Sequence, residues 1–244
     1  MTGSRPQQLP EVVLRPVRGH HAFEACVEQL ATAIRLGVYP RGTTLPSERH
    51  LAERLHVSRA TLREAMAALR QAGLVETHRG RGGGTVVTLK PRTPSARAAA
   101  RISADKRLDW LDALEFRRVV EPGAAYLAAG IELTDVRREQ LEEAHAEVAG
   151  ARKPADHRQA DSRFHLTVAA LSESPRLVEA VTSVQATLHE MLLAIPVLEA
   201  NIAHSDQQHA RLVRGILAGK PDRARRVMEE HCDDTAALLR GLVG

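Results

Sequence analysis

Residues 45–87, LPSERHLAERLHVSRATLREAMAALRQAGLVETHRGRGGGTVV, decide the fold of this 244-residue chain. Ser47 stands just before an apolar-periodic run and predicts the N-cap of a helix through about Leu55, with Leu51 and Leu55 as its buried pair. After a short turn, Ser58 supplies a second N-cap, and the helix that follows divides into two faces. Leu62, Ala65, Met66 and Leu69 fall at i, i+3, i+4, i+7 and form the inner one. Arg59, Ala60 and Arg63 lie opposite, where short or cationic side chains can approach a duplex without carrying the fold. Gly73 predicts a helix stop, LVETH alternates as a strand, RGRGGG supplies a turn able to take positive φ, and TVVTL returns. A cationic hairpin beside such a helix is a wing, and it places Arg79 and Arg81 to touch phosphates or the minor groove.

Working outward, His20–Leu36 reads as a helix with Phe23, Val27, Leu30, Ala31 and Ile34 on one side, ended by Gly37 and packed behind the helix-turn-helix. Residues 1–19 carry three arginines and three prolines but no apolar core, so they read as a flexible N-terminal arm and not as a signal peptide. Two prolines and an Ala/Arg-rich stretch mark residues 91–107 as a linker that turns helical toward its end. The DNA-binding domain is therefore expected over 20–90 and a second domain over 108–244. There the pattern is helical, with breaks at Pro122, Gly130–Thr134, Gly150–Pro154, Ser172–Pro175, Pro196–Asn201 and Gly219–Pro221. The fold class is mainly α: a winged helix-turn-helix with a small β wing, followed by an all-α bundle.

Charge divides along the same boundary. Through Arg92 there are 14 Lys and Arg against 7 Asp and Glu, and beyond it 20 against 23. The basic half is the half with the helix-turn-helix, which favours phosphate contacts and a steep salt dependence. Cys26 and Cys232 stand far apart in no metal or redox spacing, so no disulfide framework is expected and a reducing cytoplasm is favoured. No run approaches the roughly 20 apolar residues of a membrane span, and no membrane partner is expected.

In the second half, polar residues sit on apolar faces. Asp161 and His165 are four apart and share a face with Phe164 and Val168. His209 lies with Ile202, Leu212, Val213 and Ile216, and His231 with Ala224, Val227, Met228 and Leu238, whereas His189 and His204 sit less well on such stripes. Burying imidazole or carboxylate without a partner is costly. One Asp and three His from three helices form a mixed donor set suited to zinc, nickel, iron or manganese, with zinc the expected ion after purification. On pattern alone, a helix-surface Asp–His pair and hydrogen-bonded core histidines account for the same residues.

With these residues in hand, a resemblance emerges. The segment 34–87, with its G-x-x-x-x-G, LPSER, SRATLREA and GL elements, resembles the winged-helix domain of the GntR superfamily of bacterial transcription regulators. The resemblance implies DNA contacts from Arg49, Arg59, Thr61 and Arg63, with His78, Arg79 and Gly80 at the wing tip; Ser58 and Arg81 complete the candidate DNA-binding residues. Ala60 replaces a polar residue often found there and the wing carries extra glycine, so base preference does not transfer. LEFRRVVEPGAAYLAA at 114–129, DSRFH at 161–165, HARLVRGILAGKPDRA at 209–224 and MEEHC at 228–232 resemble the ligand-binding FCD domain of the FadR subfamily. That implies a divalent metal on Asp161, His165, His209 and His231. It also implies a cavity-facing Arg117 able to meet a small carboxylate effector, although a salt bridge to Glu121 one turn on explains Arg117 equally well.

These expectations combine into a homodimeric, metabolite-responsive transcription regulator, a repressor, reading a palindromic operator in double-stranded DNA. Two alternatives stand beside it: a metalloenzyme using the Asp/His₃ centre, and a regulator whose metal is purely structural or sensory.

Overall fold

The computed structural model describes residues 9–17, 22–78, 83–89, 103–195 and 199–243, in two compact units. The first unit contains α1 (Leu9–Val13), α2 (Ala22–Arg35), α3 (Glu48–Leu55), α4 (Arg59–Gln71), β1 (Val75–His78) and β2 (Gly84–Val87). Both predicted caps form: the Ser47 hydroxyl accepts from the His50 amide at 3.3 Å and the Ser58 hydroxyl from the Thr61 amide at 3.0 Å. The inner face of α4 is as predicted, with Leu62, Ala65, Met66 and Leu69 all buried, and α4 packs on α2, whose Leu30 and Ile34 are buried as well. Burial of such aliphatic side chains contributes about 1.5–3 kcal/mol each, far more than the caps, so the apolar stripe sets the helix orientation.

Gly73 closes α4 with a left-handed φ of 70°, and its amide bonds the Arg70 carbonyl. The strands then pair antiparallel in the register Val75↔Val87 to His78↔Gly84. Gly84 is required by close approach, because a Cβ there would lie 2.7 Å from Thr44 Cγ2, where the Thr44–Val86 bridge adds a third edge to the wing. The tip residues Arg79, Gly80 and Arg81 lie outside the described residues.

One boundary differs from expectation. The flexible arm assigned to 1–19 includes residues that pack: Val13 and Leu14 are buried, and the Val17 amide donates to the Leu55 carbonyl at 2.7 Å. Leu9, Val12 and Val13 give this short segment an apolar side, which a reading dominated by arginines and prolines overlooks. Within the stretch 91–107, expected to turn helical toward its end, Ser103 caps a helix that begins at Ala104; residues 90–102 lie outside the described set.

The second unit contains α5 (Ala104–Gly130), α6 (Asp135–Gly150), α7 (Pro154–Leu171), α8 (Pro175–Ala194), α9 (Glu199–Leu217) and α10 (Pro221–Val243). Pro154, Pro175 and Pro221 each open a helix, where a missing N–H costs nothing. Pro122 is the exception and corrects the predicted break: α5 continues through it. An interior proline costs about 3 kcal/mol, but Val120, Pro122, Ala124 and Ala125 are buried on both sides of the lost bond, and their packing holds the helix. Helix α5 packs most extensively on α10, and α6 on α7. A core of Phe164, Leu141, Val168, Leu212, Ile216 and Met228 fills the space between them. No helix among the described residues is long and apolar enough to cross a membrane.

Candidate functional site

On the first unit, Arg49, Ser58, Arg59, Arg63 and His78 are exposed and Thr61 is half-buried, all on or beside α3, α4 and β1. Ser58 and Thr61 also bond each other through their hydroxyls at 2.8 Å, so both serve the cap of α4. Arg63 Nε lies 3.2 Å from Glu48 Oε2, bridging α4 to α3, and Arg49 Nη1 lies 3.1 Å from Glu53 Oε1. Exposed pairs of this kind are worth about 0–1 kcal/mol. Each guanidinium can exchange its carboxylate for a phosphate at little cost, while the buried stripe beneath remains fixed.

On the second unit, α7, α9 and α10 bring Asp161, His165, His209 and His231 together. One ring nitrogen from each histidine lies within 4.8 Å of the others, and all three rings are buried. Asp161 closes the group, with Oδ1 3.6 Å from His209 Nε2 and Oδ2 4.0 Å from His165 Nε2. Phe164 backs it, its ring centroid 4.6 Å from that of His209. Burial first, then the neighbouring imidazoles and Arg117, hold His209 and His231 well below the usual histidine range. Both rings are therefore neutral near pH 7 and keep a lone pair free to donate.

Two residues that sequence reasoning did not assign to the site stand beside these rings. Glu121, buried on α5, places Oε2 2.9 Å from His165 Nδ1, out of line for a hydrogen bond, and His165 Nε2 lies 4.0 Å from Asp161 Oδ2. Gln208 donates from its amide nitrogen to Asp234 at 2.7 Å, so its oxygen must face His231 Nδ1, 3.0 Å away. His231 consequently carries its proton on Nδ1 and presents Nε2 inward. His209 Nδ1 is buried without a hydrogen-bond partner among the described residues. Gln208 thus orients His231 as outer hydrogen-bond partners orient imidazole ligands.

Glu121 also accepts from Arg117 Nε at 3.0 Å and, through Oε1, from Gln185 Nε2 at 2.6 Å. Burial by itself would raise the Glu121 pKa, but the charge of Arg117, then His165, outweighs it and holds the carboxyl far below its ordinary range. Arg117 in turn remains a cation although buried, because Glu121 offsets its desolvation. The expected salt bridge to Glu121 is present, and the same side chain faces a pocket. The Arg117 Nε is paired to Glu121, while its Nη1 is buried without a hydrogen-bond partner among the described residues and the side chain lines a pocket shared with Asp161 and His231. Beyond the donors, the pocket is lined by the apolar Leu188, Leu192, Ile195, Ile202 and Leu238 and by the polar His157, Arg158, Asn201, Ser205 and Thr235. A Glu at position 121 among Val120, Ala124 and Ala125, and a Gln at 185 between Val181 and Leu188, were visible as polar interruptions of apolar stripes. Only the fold shows that they converge.

Comparison with known proteins agrees with this division of the chain. Residues 23–87 match the bacterial regulatory proteins of the gntR family, and residues 112–234 match the FCD domain. A Mycobacterium gastri protein bearing the name of an HTH-type transcriptional regulator, RmpR, is 34% identical over 218 residues, covering 85% of this chain and 76% of its own. An Escherichia coli K12 protein named for regulation of an L-lactate dehydrogenase operon is 32% identical over 202 residues, covering 78% and 75%. The fold is shared with Escherichia coli McbR/YncC at a TM-score of 0.55 and 18% identity, covering 91% of this chain and 99% of that one. These families and relatives are regulators rather than enzymes, which removes the metalloenzyme alternative. The chain belongs to the gntR family of bacterial regulatory proteins, in the FadR-like group that joins a winged helix to an FCD domain, and is a DNA-binding transcription regulator.

Proposed function

We propose that this regulator is a dimeric repressor whose C-terminal domain holds a divalent metal on Asp161, His165, His209 and His231 and responds to a small carboxylate. The observation that carries the reading is the convergence, on one pocket, of the buried Arg117 Nη1 with Asp161 and His231. Three buried imidazoles, two of them held neutral and one oriented by Gln208, suit a borderline cation such as zinc. When bound, the metal would supply a Lewis-acidic position for one carboxylate oxygen. Arg117 Nη1 would donate a charge-assisted hydrogen bond to the other oxygen and so gain the acceptor it otherwise lacks. The effector would shift operator affinity to the extent that it binds one arrangement of the bundle better than another.

Operator contact falls to Arg49, Ser58, Arg59, Thr61 and Arg63, with His78, Arg79, Gly80 and Arg81 on the wing. Two-fold symmetry matches a palindrome, and α5 supports it. Leu108, Phe116, Val119, Tyr126 and Leu127 remain exposed on one stripe of this helix, which spans about 40 Å. An apolar strip of that length is expected to meet a second copy of itself across a two-fold axis. Ion pairs from Arg118 to Asp233 and from Glu115 to Arg240 fasten the flanks of α5 to α10 and keep the stripe outward.

The test is operator affinity, measured by fluorescence anisotropy on zinc-supplied full-length protein against a panel of carboxylates. The reading expects at least one acid to weaken binding at least fivefold and Asp161→Ala to abolish that response. Unchanged affinity across the panel, with metal present, defeats the switch. A variant that loses thermal stability but keeps its acid response favours a purely structural metal.

A further inference from the structure

A chain of hydrogen bonds runs from the surface to the donor cluster between α9 and α10. The His204 ring and the Asp234 carboxylate are both about half exposed, with Nε2 2.9 Å from Oδ2. The same Oδ2 accepts from the amide nitrogen of Gln208 at 2.7 Å, and Gln208, only 3% exposed, sets its oxygen 3.0 Å from His231 Nδ1. A primary amide can turn over with almost no change in shape, exchanging oxygen for nitrogen. At position 208 the two orientations have opposite consequences. With oxygen toward the ring, His231 is protonated on Nδ1, and Nε2 keeps its lone pair for the donor cluster. With nitrogen toward the ring, Nδ1 must accept, and the proton moves to Nε2, where it blocks ligation. Nothing in Gln208 itself chooses between them. Asp234 does, because an ionised carboxylate only accepts.

Resting on the metal reading above, we propose that Asp234 is a positioning residue for the metal site: acting through Gln208, it fixes the tautomer of His231 and so sets zinc affinity from a place on the surface. His204 holds the carboxylate from the solvent side. The arm serves one donor, since among the described residues neither His165 nor His209 has a hydrogen bond on Nδ1. Outer partners of imidazole ligands are worth about 10- to 100-fold in metal affinity, and Asp234 stands one hydrogen bond further out, which places its loss at the lower end. The bare charge of a half-exposed carboxylate is screened by water and salt, whereas the direction of a hydrogen bond to a buried amide is not.

Competitive zinc titration of the full-length protein and its Asp234→Asn, Gln208→Met and doubly substituted variants tests this. Nitrogen-15 NMR of the histidine tautomers in metal-free protein accompanies it, with His231 assigned from the spectrum of His231→Ala. The expected result is a loss of zinc affinity of about tenfold for Asp234→Asn and about tenfold or more for Gln208→Met. The double variant should be no weaker than Gln208→Met alone, because the two residues act in series. His231 should be protonated on Nδ1 in the unsubstituted protein, and Asp234→Asn, whose amide can donate or accept, should populate the Nε2 form. Additive losses in the double variant would mean that Asp234 acts by its charge alone; that result, unchanged zinc affinity in Asp234→Asn, or an unchanged His231 tautomer in that variant overturns the proposal and leaves the metal reading standing. A folded unsubstituted protein that takes up no zinc overturns both.

Discussion

Glu121→Gln separates the two tasks assigned to one buried carboxylate. The substitution keeps the side-chain shape but removes the charge that faces Arg117 Nε at 3.0 Å and His165 Nδ1 at 2.9 Å. Breaking a buried ion pair by neutralising one partner costs about 3–5 kcal/mol, because the other charge stays behind in a low-dielectric site. For a protein of this size each kcal/mol moves the melting temperature by about 2–4 °C, so the metal-free variant should melt roughly 10 °C lower. Losing the carboxylate beside His165 should weaken zinc binding by about 10- to 100-fold. Melting in chelator measures the first effect, and competitive zinc titration the second. The double variant Arg117→Met, Glu121→Leu removes both charges and should recover most of the stability but not the zinc affinity. Glu121→Gln protein that melts within about 2 °C of wild type and binds zinc unchanged would refute the reasoning.

Three further outcomes follow from the same geometry. Arg59→Ala or Arg63→Ala should abolish operator preference in anisotropy while leaving circular dichroism and dimerisation intact; loss of folding would mean their faces are reversed. In chelator, stability from urea unfolding should be level above about pH 6.5 and fall below it, because the folded pKa values of His209 and His231 are depressed and the unfolded chain takes up protons first. The slope is at most about 1.4 kcal/mol per histidine per pH unit, the depressed Glu121 adds its loss only below about pH 4.5, and a gain of stability on acidification would contradict the assignment. Val119→Asp, on the exposed stripe of α5, should convert dimers to monomers by light scattering without loss of helicity; an unchanged dimer would place the interface elsewhere.

The helix-turn-helix was legible because each of its devices is local: caps at Ser47 and Ser58, a single apolar stripe on α4, a glycine stop at Gly73. The metal-type donors were legible for a related reason, since Asp161 and His165 share one helix and His209 and His231 each interrupt an apolar stripe. Glu121, Gln185 and Gln208 were not assigned, because their partners lie 44, 64 and 23 positions away along the chain and no local period encodes that pairing. Pro122 misled for the opposite reason: a strong local signal for a break was overridden by packing against neighbours that the sequence does not place.

Native mass spectrometry of the full-length chain incubated with zinc and then freed of excess ion tests the central claim most directly. A dimer with one zinc per chain, reduced to a metal-free dimer by Asp161→Ala with His231→Ala, is the predicted spectrum. A folded protein that retains no zinc, nickel, manganese or iron under the same treatment would contradict it, and would leave Asp161 and the three histidines as buried polar residues of the core.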